Sequence, residues 1–376
     1  VLAQDRSADR TAVLVDRISA GLAGELARDL ADLVPAGTGA VLPDEVRMLE
    51  LPGCALPQEP ADVAAGGWTD ARDALRTTLG RSADGPVAVD LCQDGPHALV
   101  AGTTGSGKSE LLQSLIAGLA LNHPPERCTF LLVDYKGGAA FAEAARLPHT
   151  VGMLTDLDGS TTARALRSLS AELSRREALL AAHGVADLAA LPPTVALARL
   201  VIVVDEFATL AEELPGFVPG LIGIAQRGRS LGIHLVLATQ RPGGVVSPEI
   251  RANCTLRICL RTTDEADSRD VLGTPAAAHL PVHRPGRALL RRGSGEPRAL
   301  QVARVAVPVT SATDGPEIRR WVWPGGMQAG RRAAAGPTDL ARLVDALSHA
   351  AEVRGTAAPH RPWQPPLPDM LPQVDL

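Results

Sequence analysis

The stretch Gly102-Thr103-Thr104-Gly105-Ser106-Gly107-Lys108-Ser109 constrains this chain more than any other part of it. It fits the pattern G-x-x-x-x-G-K-[ST], follows the apolar run Ala98-Leu99-Val100-Ala101 and opens the helical pattern Glu110 to Ile116. A loop of this kind between a strand and a helix belongs to an α/β architecture. Its glycines let successive backbone N–H groups curl inward, and the start of the helix adds partial positive charge. The pattern reads as a nucleotide triphosphate site, with Gly102, Thr103, Thr104, Gly105, Ser106 and Gly107 as the cradle. Lys108 is placed to reach the β- and γ-phosphates, and the Ser109 hydroxyl to ligate Mg²⁺. The chain has two lysines among its 37 basic residues, and one fills this slot.

Apolar runs then alternate with helical patterns. Strands are predicted at Val87–Leu91, Ala98–Ala101, Phe130–Asp134, Leu200–Asp205, Leu235–Thr239, Thr255–Arg261, Arg287–Arg291 and Arg298–Val302. Helices are predicted at Ser109–Leu121, Thr161–His183, Val218–Arg229 and Glu265–Leu272. Such alternation implies a mostly parallel sheet covered by helices on both faces, while the last strands, which have no helices between them, add antiparallel edges. Ahead of this block, Val15, Ile18, Leu22, Leu26, Leu30 and Leu33 form one stripe of an amphipathic helix over about Asp9 to Leu33. A short strand is predicted at Val46–Leu51 and a second helix from about Asp70 to Leu79. Beyond Val307 the pattern weakens to one helix, Thr338–Gly355, and a proline-rich end that reads as extended linker. The expected organisation is therefore an N-terminal helical and irregular extension packing on the main domain (1–86), a nucleotide-binding domain (87–310), and a C-terminal helix with linker (311–376).

Hydrolysis requires more than a phosphate loop. The core strand Leu200-Val201-Ile202-Val203-Val204 ends in Asp205-Glu206. An apolar strand has no structural need for two adjacent acids at its tip, although a helix cap followed by a solvated acid is the plainer alternative. Asp205 is predicted to hold the Mg²⁺ shell, and Glu206 to polarise the attacking water. A second polar-tipped strand, His234 to Thr239, offers Gln240 or Thr239 to sense the γ-phosphate or orient the water. In sheets of this kind that strand lies between the two nucleotide-binding strands. An arginine from a neighbouring subunit often completes such sites. Arg257 is the first candidate, followed by Arg175, Arg176, Arg229 and Arg269. Lys136, after the strand ending at Asp134, either lines the site or ties its loop to an acid.

Composition narrows the partners. A formal net charge of −5 provides no overall basic field for nucleic acid. The five cysteines show no C-x-x-C pair and read as reduced thiols, with no metal or disulfide framework. His279 and His283 are split by Pro281, which denies them a shared helix face for a metal. No apolar run approaches the roughly 20 residues that cross a bilayer, and no signal peptide is visible. A cytoplasmic location is expected.

Four segments together resemble the FtsK/SpoIIIE ATPases: Gly102–Ser109, Leu132 to Phe141 with its Asp134-Tyr135-Lys136-Gly137-Gly138, Val204-Asp205-Glu206-Phe207, and Gly228 to Pro242. Within that family Asp134-Tyr135-Lys136-Gly137-Gly138 and Leu147-Pro148-His149-Thr150 look most like the first ATPase module of the type VII secretion proteins EccC and EssC. The end Arg361 to Pro368 looks like the linker into a second module. The resemblance implies a RecA-like P-loop fold of the additional-strand catalytic-glutamate type, working as a hexamer with ATP and Mg²⁺ between subunits. It assigns Lys108, Ser109, Asp205, Glu206 and Gln240 the roles read above. It favours Arg257 as the trans arginine, with Arg175 or Arg176 as the secretion-branch alternative. It further implies an ATP-hydrolysing motor whose partners are secreted helical proteins and other secretion subunits, on the cytoplasmic face of the membrane where the parent protein is anchored. A double-stranded DNA translocase and an ATP-gated assembly scaffold with negligible turnover are the alternatives.

Overall fold

The computed structural model describes residues 42–56, 63, 68, 73–134, 139–155, 159–213, 216–308, 321–322, 326–327 and 336–362, together with Ser19. The chain divides into two units, Val1–Val41 and Leu42–Leu376, and all elements below belong to the second. The helix expected over Asp9–Leu33 lies outside the described residues, as do Lys136 and positions 363–376.

Ten strands form one sheet: β1 (Arg76–Ser82), β2 (Gly85–Asp90), β3 (Ala98–Ala101), β4 (Cys128–Asp134), β5 (Thr150–Leu154), β6 (Arg199–Asp205), β7 (Ile233–Thr239), β8 (Leu256–Leu260), β9 (Arg287–Arg292) and β10 (Arg298–Val302). Their spatial order is β2-β1-β10-β9-β8-β3-β7-β6-β4-β5. The six strands from β8 to β5 are mutually parallel. The four from β2 to β9 extend the sheet as an antiparallel wing, joined where β9 pairs with β8. The seven helices among the described residues are α1 (Lys108–Asn122), α2 (Gly159–Ala182), α3 (Phe207–Glu213), α4 (Phe217–Leu231), α5 (Pro248–Asn253), α6 (Glu265–Leu272) and α7 (Asp339–Arg354). A two-stranded pairing of Trp321–Val322 with Gly326–Met327 stands apart from the sheet.

The parallel strands are buried on both faces, so successive residues feed two separate cores. Val100, Phe130, Leu132, Val201, Val203 and Val236 pack on one face with α1, α7 and the segment around Met48. Leu99, Leu131, Val133, Leu200, Ile202, Val204 and Leu237 pack on the other with residues of α2, α4 and α6. With aromatics at 2% of the chain, aliphatic side chains fill most of this volume, and Phe130, Phe141 and Phe207 are its largest fully buried members.

Two local expectations are corrected. The helix predicted to run to Leu79 is replaced by β1, which pairs antiparallel with β2 through the turn at Ala83-Asp84. Thr77 and Thr78 are β-branched and favour the pleat, and Asp84-Gly85 is a hairpin signal that outweighs the helical spacing. The strand predicted at Val46–Leu51 is a short 3₁₀ turn over Met48–Glu50, with a single bridge from Arg47 to Arg304. The C-terminal helix keeps its expected bounds because Thr338 caps it, accepting from the Ala341 N–H at 3.0 Å, and Gly355 ends it in the left-handed region.

Candidate nucleotide site

β3 ends at Ala101, and the loop 102–107 carries the chain into α1. Its shape is held from below: Gly102 N donates to Thr239 O at 3.2 Å and Thr103 N to Arg261 O at 3.0 Å. Gly107, the residue before α1, has φ +101°, and a side chain there would meet Gly286 N at 2.8 Å. Only glycine combines that backbone with that approach. No side chain caps α1 at this end, so its first N–H groups point into the loop's concavity, an arrangement that suits an anion. The Ser106 hydroxyl is buried in the same loop with no hydrogen-bond partner. An uncapped helix start, an orphaned hydroxyl and an inward-curled backbone together fit a phosphate chain.

The carboxylates arrive from the neighbouring parallel strands. β7 lies between β3 and β6, and Asp134 and Asp205 stand side by side at the tips of β4 and β6. Lys108 Nζ forms an ion pair with Asp205 Oδ1 and lies 3.8 Å from Glu206 Oε2. All three side chains are buried, Glu206 at 4% exposure. Glu206 also accepts the Gln240 N–H at 3.3 Å, and the Gln240 side-chain oxygen accepts from the Thr104 hydroxyl at 2.8 Å. Loop, acids and β7 tip thus form one connected network. Thr239 is turned away, exchanging hydrogen bonds with the backbone of Arg241. Between the two candidates on that strand, Gln240 is the one at the cavity.

Glu206 has φ +60°, and it is the only non-glycine residue with positive φ among those described. Strain of this kind at the end of an apolar strand, between Asp205 and the start of α3, aims the carboxylate back toward Lys108 and away from the helix.

The cavity in front of the loop measures about 410 Å³ and is lined by Thr103 to Gly105, Gly107 to Glu110, Gln240, Pro285–Gly286 and Val302–Arg304. Pro285, Gly286 and Val302–Arg304 carried no motif in the sequence. The strands β9 and β10 that flank them were legible, but the return of the sheet's antiparallel wing to the loop was not. Ser109 lies on the wall and Asp205 behind Lys108, a hydroxyl and a carboxylate of the type that holds Mg²⁺ together with phosphate oxygens.

Arg257 is not in this cavity. It pairs in register with Leu99, whose side chain belongs to the core on the face opposite α1. Its guanidinium donates to the carbonyls of Arg251 at 2.7 Å, Cys254 at 3.0 Å and Val271 at 3.4 Å. Burial, then the nearby Arg291, push its pKa below the usual arginine value. Arg175 and Arg176 are equally engaged, both on Glu172, and Arg269 pairs with Glu265. Arg229 is exposed on α4. None of these arginines reaches the phosphate loop of its own chain.

Burial raises the thiol of half-buried Cys92 to about 11 and those of buried Cys254 and Cys259 to about 12, which disfavours the thiolate. Among the described residues no helix is long and apolar enough to cross a membrane, and no cluster of three or more His, Cys, Asp or Glu side chains suits a metal ion.

Comparison with known proteins agrees with the geometry. The FtsK/SpoIIIE family model matches residues 61–196. The type VII secretion system protein EssC of Staphylococcus aureus is 39% identical over 304 residues, covering 75% of this chain and 20% of EssC. The ESX secretion system protein YukB of Bacillus subtilis is 35% identical over 298 residues, covering 74% of this chain and 20% of YukB. The chain thus spans about a fifth of the length of these relatives. Among solved structures, the cytoplasmic domain of the Thermomonospora curvata type VII secretion ATPase EccC superimposes with a TM-score of 0.70 at 31% identity, covering 86% of this chain and 36% of that one. A phosphate loop facing strand-tip acids across an inserted strand, on a RecA-like sheet shared with the EccC domain, goes with the family match: this chain carries a domain of the FtsK/SpoIIIE family.

Proposed function

We propose that the chain is an ATP-hydrolysing motor module of a type VII secretion system. One observation supports the hydrolytic reading above others: Lys108 and Gln240, which line one cavity with Ser109, are bonded directly to the strand-tip acids Asp205 and Glu206 behind them. In this reading the loop N–H groups and Lys108 bind the triphosphate, Lys108 exchanging the Asp205 carboxylate for phosphate oxygens. Ser109 and Asp205 would hold Mg²⁺, which when bound would offset charge on the phosphate oxygens. Glu206 accepts a proton from a water as that water's oxygen bonds to the γ-phosphorus and the bond to the bridging oxygen of ADP breaks, so the proton ends on Glu206. Gln240, tied to both Thr104 and Glu206, orients the water and registers the γ-phosphate. In this reading Arg257 completes the site of a neighbouring copy in a hexamer, which requires its guanidinium to leave the carbonyls of Arg251, Cys254 and Val271 that it holds in the single chain. The secretion assignment, with helical protein substrates and other secretion subunits as partners, rests on the likeness to EssC and EccC.

The test is ATP affinity and turnover for Glu206→Gln and Lys108→Ala. Glu206→Gln should bind ATP within about threefold of wild type and lose on the order of 10²-fold in kcat, whereas Lys108→Ala should lose binding. Equal turnover in wild type and Glu206→Gln would favour the scaffold alternative. A strong, salt-sensitive stimulation by long duplex DNA, absent with helical secretion substrates, would overturn secretion in favour of DNA translocation.

A further inference from the structure

The cavity has two ends. Lys108 and Gln240 mark the end where the γ-phosphate belongs, so the nucleoside lies at the other, between Pro285–Gly286, Val302–Arg304 and the first turn of α1. Three charged residues among those described line the cavity: Lys108, Glu110 and Arg304. Lys108 serves the phosphates, and Glu110 accepts the Ala306 N–H at 3.4 Å. Among the described residues, Arg304 is thus the one cation lining the cavity away from the phosphate loop.

Its position is unusually well fixed. The Arg304 N–H donates to Val46 O and its carbonyl accepts from Met48 N, both at 2.9 Å. Its Nη1 donates to Glu45 Oε1 at 2.7 Å. The same segment clasps the opposite wall: Asp44 pairs with Arg284, and Pro43 O accepts from Arg287 Nη2 at 3.1 Å. The segment is itself moored to α7, where Arg47 donates from Nε at 2.5 Å and from Nη2 at 2.7 Å to the fully buried Asp339 carboxylate. Residues 43–48, which carry no nucleotide motif, therefore hold both strips of the cavity's far wall.

We propose that Arg304 is the contact for the nucleoside end of the bound nucleotide, and that Glu45 is its positioning residue. The proposal rests on the nucleotide reading given above. A guanidinium has five N–H donors and no acceptor, and one nitrogen is already committed to Glu45. Its remaining donors suit acceptor atoms such as purine ring nitrogens or ribose oxygens, and its plane can stack on a base. Adenine and guanine both present such acceptors, so the contact serves ATP and GTP alike.

The experiment is equilibrium binding by the full chain of three probes: ATP, GTP and inorganic tripolyphosphate. Wild type is compared with Arg304→Met, which keeps the apolar stem, and Glu45→Gln, a change at an exposed side chain that leaves the wall's backbone bonds in place. Arg304→Met should weaken ATP and GTP by about tenfold, and Glu45→Gln by about threefold, the size of a lost or loosened hydrogen bond to a charged group. Tripolyphosphate, which has no nucleoside, should stay within about twofold in both. Unchanged ATP affinity in both variants, or tripolyphosphate weakened as much as ATP, overturns the assignment. Wild-type protein that binds none of the three probes would instead overturn the nucleotide site itself.

Discussion

Glu206 combines a buried carboxyl side chain with a left-handed backbone. An L-residue with a Cβ pays roughly 1–2 kcal/mol for that conformation, and glycine does not. The usual order of preference should therefore invert here. Glu206→Gly is expected to be more stable than Glu206→Ala by about 1 kcal/mol in urea unfolding, although elsewhere in regular structure glycine is the poorer choice by a similar amount. Neither variant should turn over ATP. If Ala proves the more stable, the turn at the β6 tip is not held in the left-handed region. The acidic pair was legible in the sequence because two carboxylates at the end of an apolar run stand out. The strain was not, since nothing local to Val204-Asp205-Glu206-Phe207 reveals which residue must take the positive φ. Arg257 shows the same division: its residue type was readable, but its engagement with the carbonyls of Arg251, Cys254 and Val271 depends on where α5 and α6 end.

At the scale of elements, α1 explains both what the sequence conveyed and what it did not. Its span was readable from the phosphate loop and apolar spacing. Gly118 in its middle is unfavourable by propensity, and Ala would ordinarily gain about 1 kcal/mol there. Here β1 crosses against it, and a Cβ on Gly118 would lie 2.0 Å from Thr77 Oγ1 and 3.1 Å from Met48 Cε. Gly118→Ala should therefore destabilise the protein by about 1–3 kcal/mol despite its propensity gain, and Thr77→Ala should recover part of the loss when combined with it. Thermal or urea unfolding of the two single variants and the double variant measures this, and a stabilised Gly118→Ala would mean that β1 does not press on α1. β1 reads as a helix where its apolar spacing is weighed above the local hairpin to β2, while its further pairing with β10, more than 200 residues away in sequence, and its packing on α1 leave no local trace. The central strands, apolar along their whole length, needed no such partner to be recognised. The short helices α3 and α5 were also missed, since six or seven residues carry too little periodicity, although Ser247-Pro248 was a readable start with Ser247 capping Ile250 N at 3.3 Å.

Across the whole molecule, four neutral histidines are built into the interior, none in contact with the nucleotide cavity. His97 accepts from Leu235 N at 3.0 Å and donates to Ala225 O at 2.7 Å. His234 donates to Pro96 O at 2.9 Å, His123 accepts from Arg76 N at 3.0 Å, and His149 donates to His123 O at 2.8 Å. Burial lowers the first and last of these, His97 and His149, to about 4 and His234 to about 3, and it lowers His123 as well. A folded-state pKa below the unfolded value near 6.5 means that the unfolded chain binds more protons throughout the interval between them. The stability these residues contribute is fully present above about pH 6.5 and is lost as pH falls toward 4, with His234 extending the loss to about 3. Urea unfolding should therefore give similar free energies at pH 8 and 7, then fall between pH 6 and 4 by on the order of 1 kcal/mol per pH unit for each of His97, His149 and His234, with His123 adding to the fall. His149 lies between Trp68 and Phe130, with ring centroids at 6.0 Å and 5.9 Å. Phe at that position packs there and cannot titrate, so His149→Phe should reduce the pH slope by about one proton whatever it does to stability at pH 8. A slope unchanged in His149→Phe would show that this ring is not neutral in the fold, and an entire profile flat to pH 5 would show the same of all four.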